Sequence, residues 1–307
     1  MKIGIGAPVS GAWAGPAELA RFGGLAEELG YDSLWTFQRL LAPADGSGDP
    51  VYRSVLDPML ALTYLAAHTS SVRLGVALVN VPFVSPAYLA KQASTLDVLS
   101  DGGLDLGLGI GWSPLEFAAS NAATERRGKR AEEFVAAMRA LWTRSPAEFA
   151  GEFYTIPPSR MDPKPVQPGG PPILLGGVVP AALERAGRIA DGWMSRSGTI
   201  LADIASDIAT VRGAAERAGR DPRSVRIVSR GVVRYDPSGT GTADKEGRRL
   251  RLSGTADQIR EDAAWLAEQG VTELFYDLNW DPRIGSPDAD RAEAVERAEE
   301  ILRALAP

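Results

Sequence analysis

Eight short runs dominated by apolar and β-branched residues alternate with segments of helical spacing along all 307 residues of the chain. The runs are Lys2–Ala7, Ser33–Thr36, Arg73–Val79, Leu104–Leu108, Pro172–Leu175, Gly192–Ser195, Arg226–Val233 and Glu273–Leu278. Most lack the apolar–polar alternation of a sheet with one wet face, so they read as parallel strands covered on both sides. Between them, stripes such as Leu19, Phe22, Ala26 and Leu29 keep the helical period. Eight β/α units in a chain of this length predict an α/β fold, a closed (β/α)8 TIM barrel, with a doubly wound open sheet as the alternative. No fixed-period repeat or second domain is evident, so residues 1–307 read as a single barrel domain.

Helix boundaries are marked independently. Gly15-Pro16, Asp57-Pro58, Ser85-Pro86 and Ser286-Pro287 each place a capping residue before a proline at the first helical position. Thr255-Ala256-Asp257-Gln258 has the pattern of a capping box, and Gly30 and Gly270 stand where helices want a left-handed residue. Three connections are long: Gln38–Leu56, Gly109–Pro171 and Asp236–Ser253. The second is an extended insertion after the fourth strand, with an extra helix near Arg126–Trp142; the third is polar and glycine-rich, a candidate mobile lid. All three follow carboxyl ends of strands, the face on which barrel active sites are built.

Composition then narrows the chemistry. A net charge of −6 gives no support for a nucleic-acid partner, which needs a clustered basic face. The absence of cysteine and the single His68 exclude thiolate chemistry and multi-histidine metal sites, and no metal is expected. His68 falls near the end of the second helix, the wrong end of a barrel for catalysis. No apolar run approaches the roughly 20 residues of a membrane span, so a soluble cytoplasmic protein is expected.

Two glycine segments invite a ligand. In Leu106-Gly107-Leu108-Gly109-Ile110-Gly111-Trp112, alternate glycines would let a flat ring or a phosphate approach the backbone; relief of crowding inside a barrel is the other explanation. In Leu174-Leu175-Gly176-Gly177-Val178-Val179-Pro180 a strand runs into a helix whose free amides would make an anion site, unless the segment is a plain tight turn.

Taken in order, several segments resemble the luciferase-like monooxygenase superfamily, in particular its branch dependent on the deazaflavin coenzyme F420. They are Glu28-Leu29-Gly30-Tyr31-Asp32-Ser33-Leu34-Trp35, Val72-Arg73-Leu74-Gly75, Ser85-Pro86 through Ser100, Gly107 to Trp112, Pro163-Lys164-Pro165-Val166-Gln167 and Ala190-Asp191-Gly192-Trp193. The resemblance implies a coenzyme ring across the strand ends, backed by a non-proline cis peptide at Ala77-Leu78. Asn80, Gly109, Ile110, Gly111 and Trp112 would line it, and Gly176, Gly177 and Val178 would hold a phosphate. Arg39, Arg53, Arg160 and Lys164 could meet the acidic tail, although surface solvation explains them equally.

One departure concerns catalysis. Where many relatives carry an acidic residue and a histidine after the second strand, this chain has Gln38 and Arg39, neither a usable base near neutral pH. Where the sugar-phosphate branch has a glutamate after the fourth-strand glycines, it has Trp112, and the nearest carboxylate is Glu116. The expectation is hydride transfer between coenzyme F420 and a small organic substrate with an activated C=C or C=O bond. An FMN-dependent monooxygenase fed reduced flavin by a partner reductase, or a non-catalytic coenzyme binder, are the alternatives. A homodimer is implied by the family alone.

Overall fold

The computed structural model describes residues 1–307, and all eight runs form strands: β1 (Lys2–Gly6), β2 (Ser33–Thr36), β3 (Arg73–Asn80), β4 (Leu104–Gly109), β5 (Ile173–Gly176), β6 (Gly192–Met194), β7 (Arg226–Val232) and β8 (Glu273–Asp277). Each pairs in parallel with the next, and β8 pairs back onto β1 through Ile3 and Leu274, which closes the barrel and removes the open-sheet alternative. The surrounding helices are α1 (Pro16–Glu28), α2 (Pro58–Ala66), α3 (Pro86–Leu99), α4 (Pro114–Ala119), α5 (Arg127–Thr143), α6 (Pro180–Ile189), α7 (Ile204–Arg217), α8 (Ala256–Glu268), α9 (Pro282–Gly285) and α10 (Arg291–Ala304).

The start signals work as local chemistry requires. Asp57 and Ser85 accept the amides of Leu60 and Tyr88, with proline at the first helical position. Thr255 and Gln258 form the reciprocal capping box, so Thr255→Ala is expected to cost about 1 kcal/mol in a urea melt. Gly30 and Gly270 have φ of 80° and 99°. Ser286-Pro287 does not start a helix. Asp281 caps α9 and Asp290 caps α10, each through its carboxylate, while Ser286 accepts the Asp288 amide in the turn between them.

The insertion after β4 holds α4, α5 and an antiparallel hairpin of Ala147–Ala150 with Thr155–Ser159. Lys164 donates to the carbonyls of Leu141 and Arg144, closing the end of α5, which explains it without a ligand. The Asp236–Ser253 segment is no free lid. Arg249 and Arg251 both bond the buried Asp262 of α8, and none of residues 236–253 lines the cavity described below.

Inside the barrel, side chains two apart along β7 and β8 stack in three layers. At the amino-terminal end Arg226 bonds Glu273 at 2.8 Å and Asp105 at 2.6 Å, and Arg73 bonds Asp105 from the other side. The middle layer is apolar: Val228 and Phe275 pack with Trp35 and Leu174, and the Trp35 and Phe275 rings stack at 5.3 Å. Gly75 leaves the space that the Trp35 ring fills. In the top layer Arg230 bonds Asp277 at 2.7 Å. Below the middle layer the barrel is plugged by side-chain ion pairs; above it, the barrel opens.

Candidate active site

Above the Arg230–Asp277 pair lies a cavity of about 760 Å³ bounded by the carboxyl ends of β2, β3, β6 and β7 and by the loops after β2, β4 and β8. A cleft of similar size, about 780 Å³, opens at the opposite end of the barrel. Of its four arginines, Arg139, Arg188 and Arg226 are paired with Asp191, Glu132 and Asp105 and Arg220 donates to the Gly187 carbonyl, and active sites of this fold lie at the other face.

The peptide bond Ala77-Leu78 is cis, and the pairing of β3 with β4 shifts register between Val76 and Val79. Leu78 thereby leans over the ends of β4 and β5. A Cβ at Gly107 would come within 2.7 Å of Leu78, one at Gly109 would meet both Leu78 and Asn80, and one at Gly176 would overlap Leu78. These glycines clear room for Leu78 and Asn80, and those two side chains line the cavity. Asn80 then ties three segments together. Its backbone and side-chain N–H groups donate to Gln38 Oε1 at 2.8 and 3.1 Å, and its Oδ1 accepts the Gly111 amide at 3.0 Å. Gly111 has φ of 73° and lies against Phe117 and Phe83, a place where a side chain would be strained and crowded.

Arg39 reaches Glu116 at 3.1 Å, and their side chains are 6% and 2% exposed. Its guanidinium lies against two adjoining rings, 4.2 Å from Tyr52 and 4.5 Å from Trp112. Glu116 also accepts the amides of Leu40 and Leu41, at 2.8 and 3.3 Å. Both members of the pair are therefore occupied in fixing the wall of the cavity. Across it, Arg230 donates to the Ala77 carbonyl at 3.3 Å and lies 4.8 Å from the Phe37 ring.

Of the residues expected from the sequence, Gln38, Arg39, Ala77, Leu78, Asn80 and Trp112 line the cavity. Gly109, Ile110 and Gly111 stand behind Asn80, and Glu116 stands behind Arg39. Gly176 touches the Leu78 side-chain space, and Gly177 and Val178 continue past β5 to α6, where the amides of Gly177, Val178 and Val179 donate to nothing in the protein. Arg53 pairs with Asp288 and Arg160 lies on the surface. His68 stacks on Tyr64, its Nδ1 2.8 Å from the Tyr64 carbonyl.

Missed by sequence reasoning were Arg230, Asp277, Tyr52, Trp280, Arg196 and Arg234. A signal existed for the first two: Arg226 and Arg230, like Glu273 and Asp277, are charges four apart in otherwise apolar strands, hence on one face. Tyr52 and Trp280 lie in loops whose paths leave no pattern.

The chain is 32% identical over 228 residues to an uncharacterised protein of Mycobacterium tuberculosis, covering 74% of this chain and 79% of that one. It is 29% identical over 198 residues to an F420-dependent glucose-6-phosphate dehydrogenase of Amycolatopsis mediterranei, covering 63% and 57%. It is 32% identical over 158 residues to an FMNH2-dependent dimethylsulfone monooxygenase of Pseudomonas putida, covering 50% and 43%. Among solved structures, a monooxygenase of Streptomyces bottropensis superposes with a TM-score of 0.80 at 24% identity, covering 99% of this chain and 98% of that one. The family model for luciferase-like monooxygenases matches residues 2–240, from β1 through the cavity strands β2, β3, β6 and β7, and the chain belongs to that family.

Proposed function

We propose that this chain is an oxidoreductase moving a hydride between coenzyme F420 and a small organic substrate with an activated C=C or C=O bond. The observation that carries the reading is the pairing of charge around the cavity. Glu116, behind the wall, is held by Arg39 and Asp277, beneath the cavity, by Arg230, and Asp49, the carboxylate that lines the cavity, caps the Val51 amide. With both buried carboxylates beside the cavity paired to arginines, this wall is suited to binding and orienting, and the electron chemistry falls to a coenzyme. When bound, a deazaflavin supplies a two-electron hydride donor or acceptor.

The residues fit such a group. Ala77, Leu78 and Asn80, backed by Gly109, Ile110 and Gly111, would hold the ring, with Trp112 at its edge. The unpaired amides at Gly177, Val178 and Val179, at the start of α6, make an anion site for a phosphate. Arg196 and Arg234, which line the cavity and have no acidic partner, would meet the other anionic groups of the side chain. Gln38, held by Asn80, and Arg39, held by Glu116, would shape the substrate side.

The Pseudomonas relative favours a second reading, an FMN-dependent monooxygenase using flavin reduced elsewhere. Fluorescence titration separates the two: F420 is expected to bind at least about tenfold more tightly than FMN, a difference of about 1.4 kcal/mol. Tight FMN binding with none for F420 would replace the first reading by the second, and no binding of either would remove both.

A further inference from the structure

Tyr52 ends the one-turn helix Pro50–Tyr52 in the connection after β2, a segment the structure fastens firmly. Ser10 Oγ donates to the Val51 carbonyl at 2.6 Å, the Gly11 amide to Ser54 at 2.9 Å and the Leu56 amide to Val9 at 2.8 Å. The ring is held at 4.2 Å by the Arg39 guanidinium and meets Trp280 edge-on at 5.3 Å. The phenol ring is therefore held in a fixed place on the cavity wall. Its hydroxyl makes no hydrogen bond within the protein, and it is absent from the sealed polar atoms left without partners, which are Arg39 Nε, Arg212 Nε, Ser229 Oγ and Trp280 Nε1. The hydroxyl is therefore reached by solvent, and Tyr52 lines the cavity.

Resting on the hydride-transfer reading above, we propose that Tyr52 is the catalytic acid, passing its phenolic proton to the substrate atom that gains the electron pair. As hydride adds to the electrophilic carbon, the π pair of the double bond moves to the far atom. That atom takes the Tyr52 proton, the O–H pair stays on the phenolate oxygen, and water restores the proton. The substrate gains two electrons and the coenzyme loses two. Arg39 from the loop after β2 and Arg230 from β7 face the phenol and favour the phenolate, against Asp49 on its own segment and Asp277 from β8. Burial outweighs the arginines and raises the phenol above its ordinary value, so the donor is protonated across the neutral range.

Carbon NMR of protein labelled at tyrosine Cζ, with the Tyr52 signal assigned by its loss in Tyr52→Phe, is the readout independent of activity: the signal is expected to stay at the protonated-phenol position across the neutral range and to move when F420 binds. Tyr52→Phe keeps the ring and its contacts. It is expected to bind F420 within about twofold of wild type, while kcat falls about 100-fold at nearly unchanged KM on whichever of a panel of enones, aldehydes and ketones the wild type reduces. Intact binding with wild-type kcat, a loss confined to KM, or a Tyr52 Cζ signal that shows phenolate at neutral pH or does not respond to bound F420 overturns the assignment. A wild type that binds no F420, or binds it and reduces nothing in the panel, overturns the hydride-transfer reading and the assignment with it.

Discussion

Asp105→Asn is expected to lower the unfolding free energy by about 3 kcal/mol, at the lower end of the range for breaking a buried ion pair. Asp105 is fully buried and receives both Arg73 and Arg226, at 2.8 and 2.6 Å, so the neutral variant leaves two guanidinium groups facing an amide. The loss is held to that lower end because Arg226 keeps Glu273 and both arginines reach solvent, with side chains 26% and 27% exposed. The effect should depend on pH. Burial alone would raise the Asp105 carboxyl, but hydrogen bonds and charge from the two arginines prevail and hold it below the usual value. A depressed native pKa means that the stabilisation is complete above the unfolded value of about 3.9 and is lost as pH falls through the lower native value. Urea midpoints of wild type and variant should therefore differ by a constant amount near neutrality and converge below about pH 4. A difference under about 1 kcal/mol at pH 7, where an ordinary substitution falls, would show that the plug is not a buried ion pair in energetic terms.

The second large effect is expected at the cavity wall. Glu116→Gln leaves Arg39 buried against Tyr52 and Trp112 without its counter-charge, and weakens the acceptor that holds the Leu40 and Leu41 amides. A stability loss of about 3 kcal/mol follows from an uncompensated buried charge. Coenzyme affinity should fall as well, because the segment bearing Gln38 and Arg39 loses its anchor. Arg39→Met in the same background should restore much of the stability, since the stranded charge is gone. Double-mutant cycles in urea are expected to give a coupling of at least about 2 kcal/mol between the two positions. Additive effects would mean that the pair is not energetically linked.

The barrel was legible because strand and helix periodicities are local properties. Each run and each stripe can be read within a dozen residues, and eight alternations leave few ways to cover a parallel sheet on both faces. Caps were equally local, which is why Asp57, Ser85 and Thr255 behave as their neighbours predict. Ser286-Pro287 failed because two aspartates, Asp281 and Asp290, compete for the same stretch and cap both flanking helices. The Gly107–Gly111 glycines stand out in the sequence, yet the first duty of Gly107 and Gly109 is to Leu78 and Asn80, through contacts that cross from β4 to β3, while Gly111 makes room for Phe117 and Phe83.

By itself, then, the sequence determined the alternation of elements, the face on which loops gather, and the absence of cysteine and multi-histidine chemistry. The tertiary structure alone decided which charges are free. Glu116 and Arg39 are 77 positions apart and Arg230 and Asp277 are 47 apart, so nothing local reveals that each neutralises the other. Closing the barrel brings them together, while the Tyr52 hydroxyl and the Arg196 and Arg234 side chains keep no partner within the protein at the mouth. Pairing is a property of distance in space, and a linear chain specifies that only once every strand has found its neighbour.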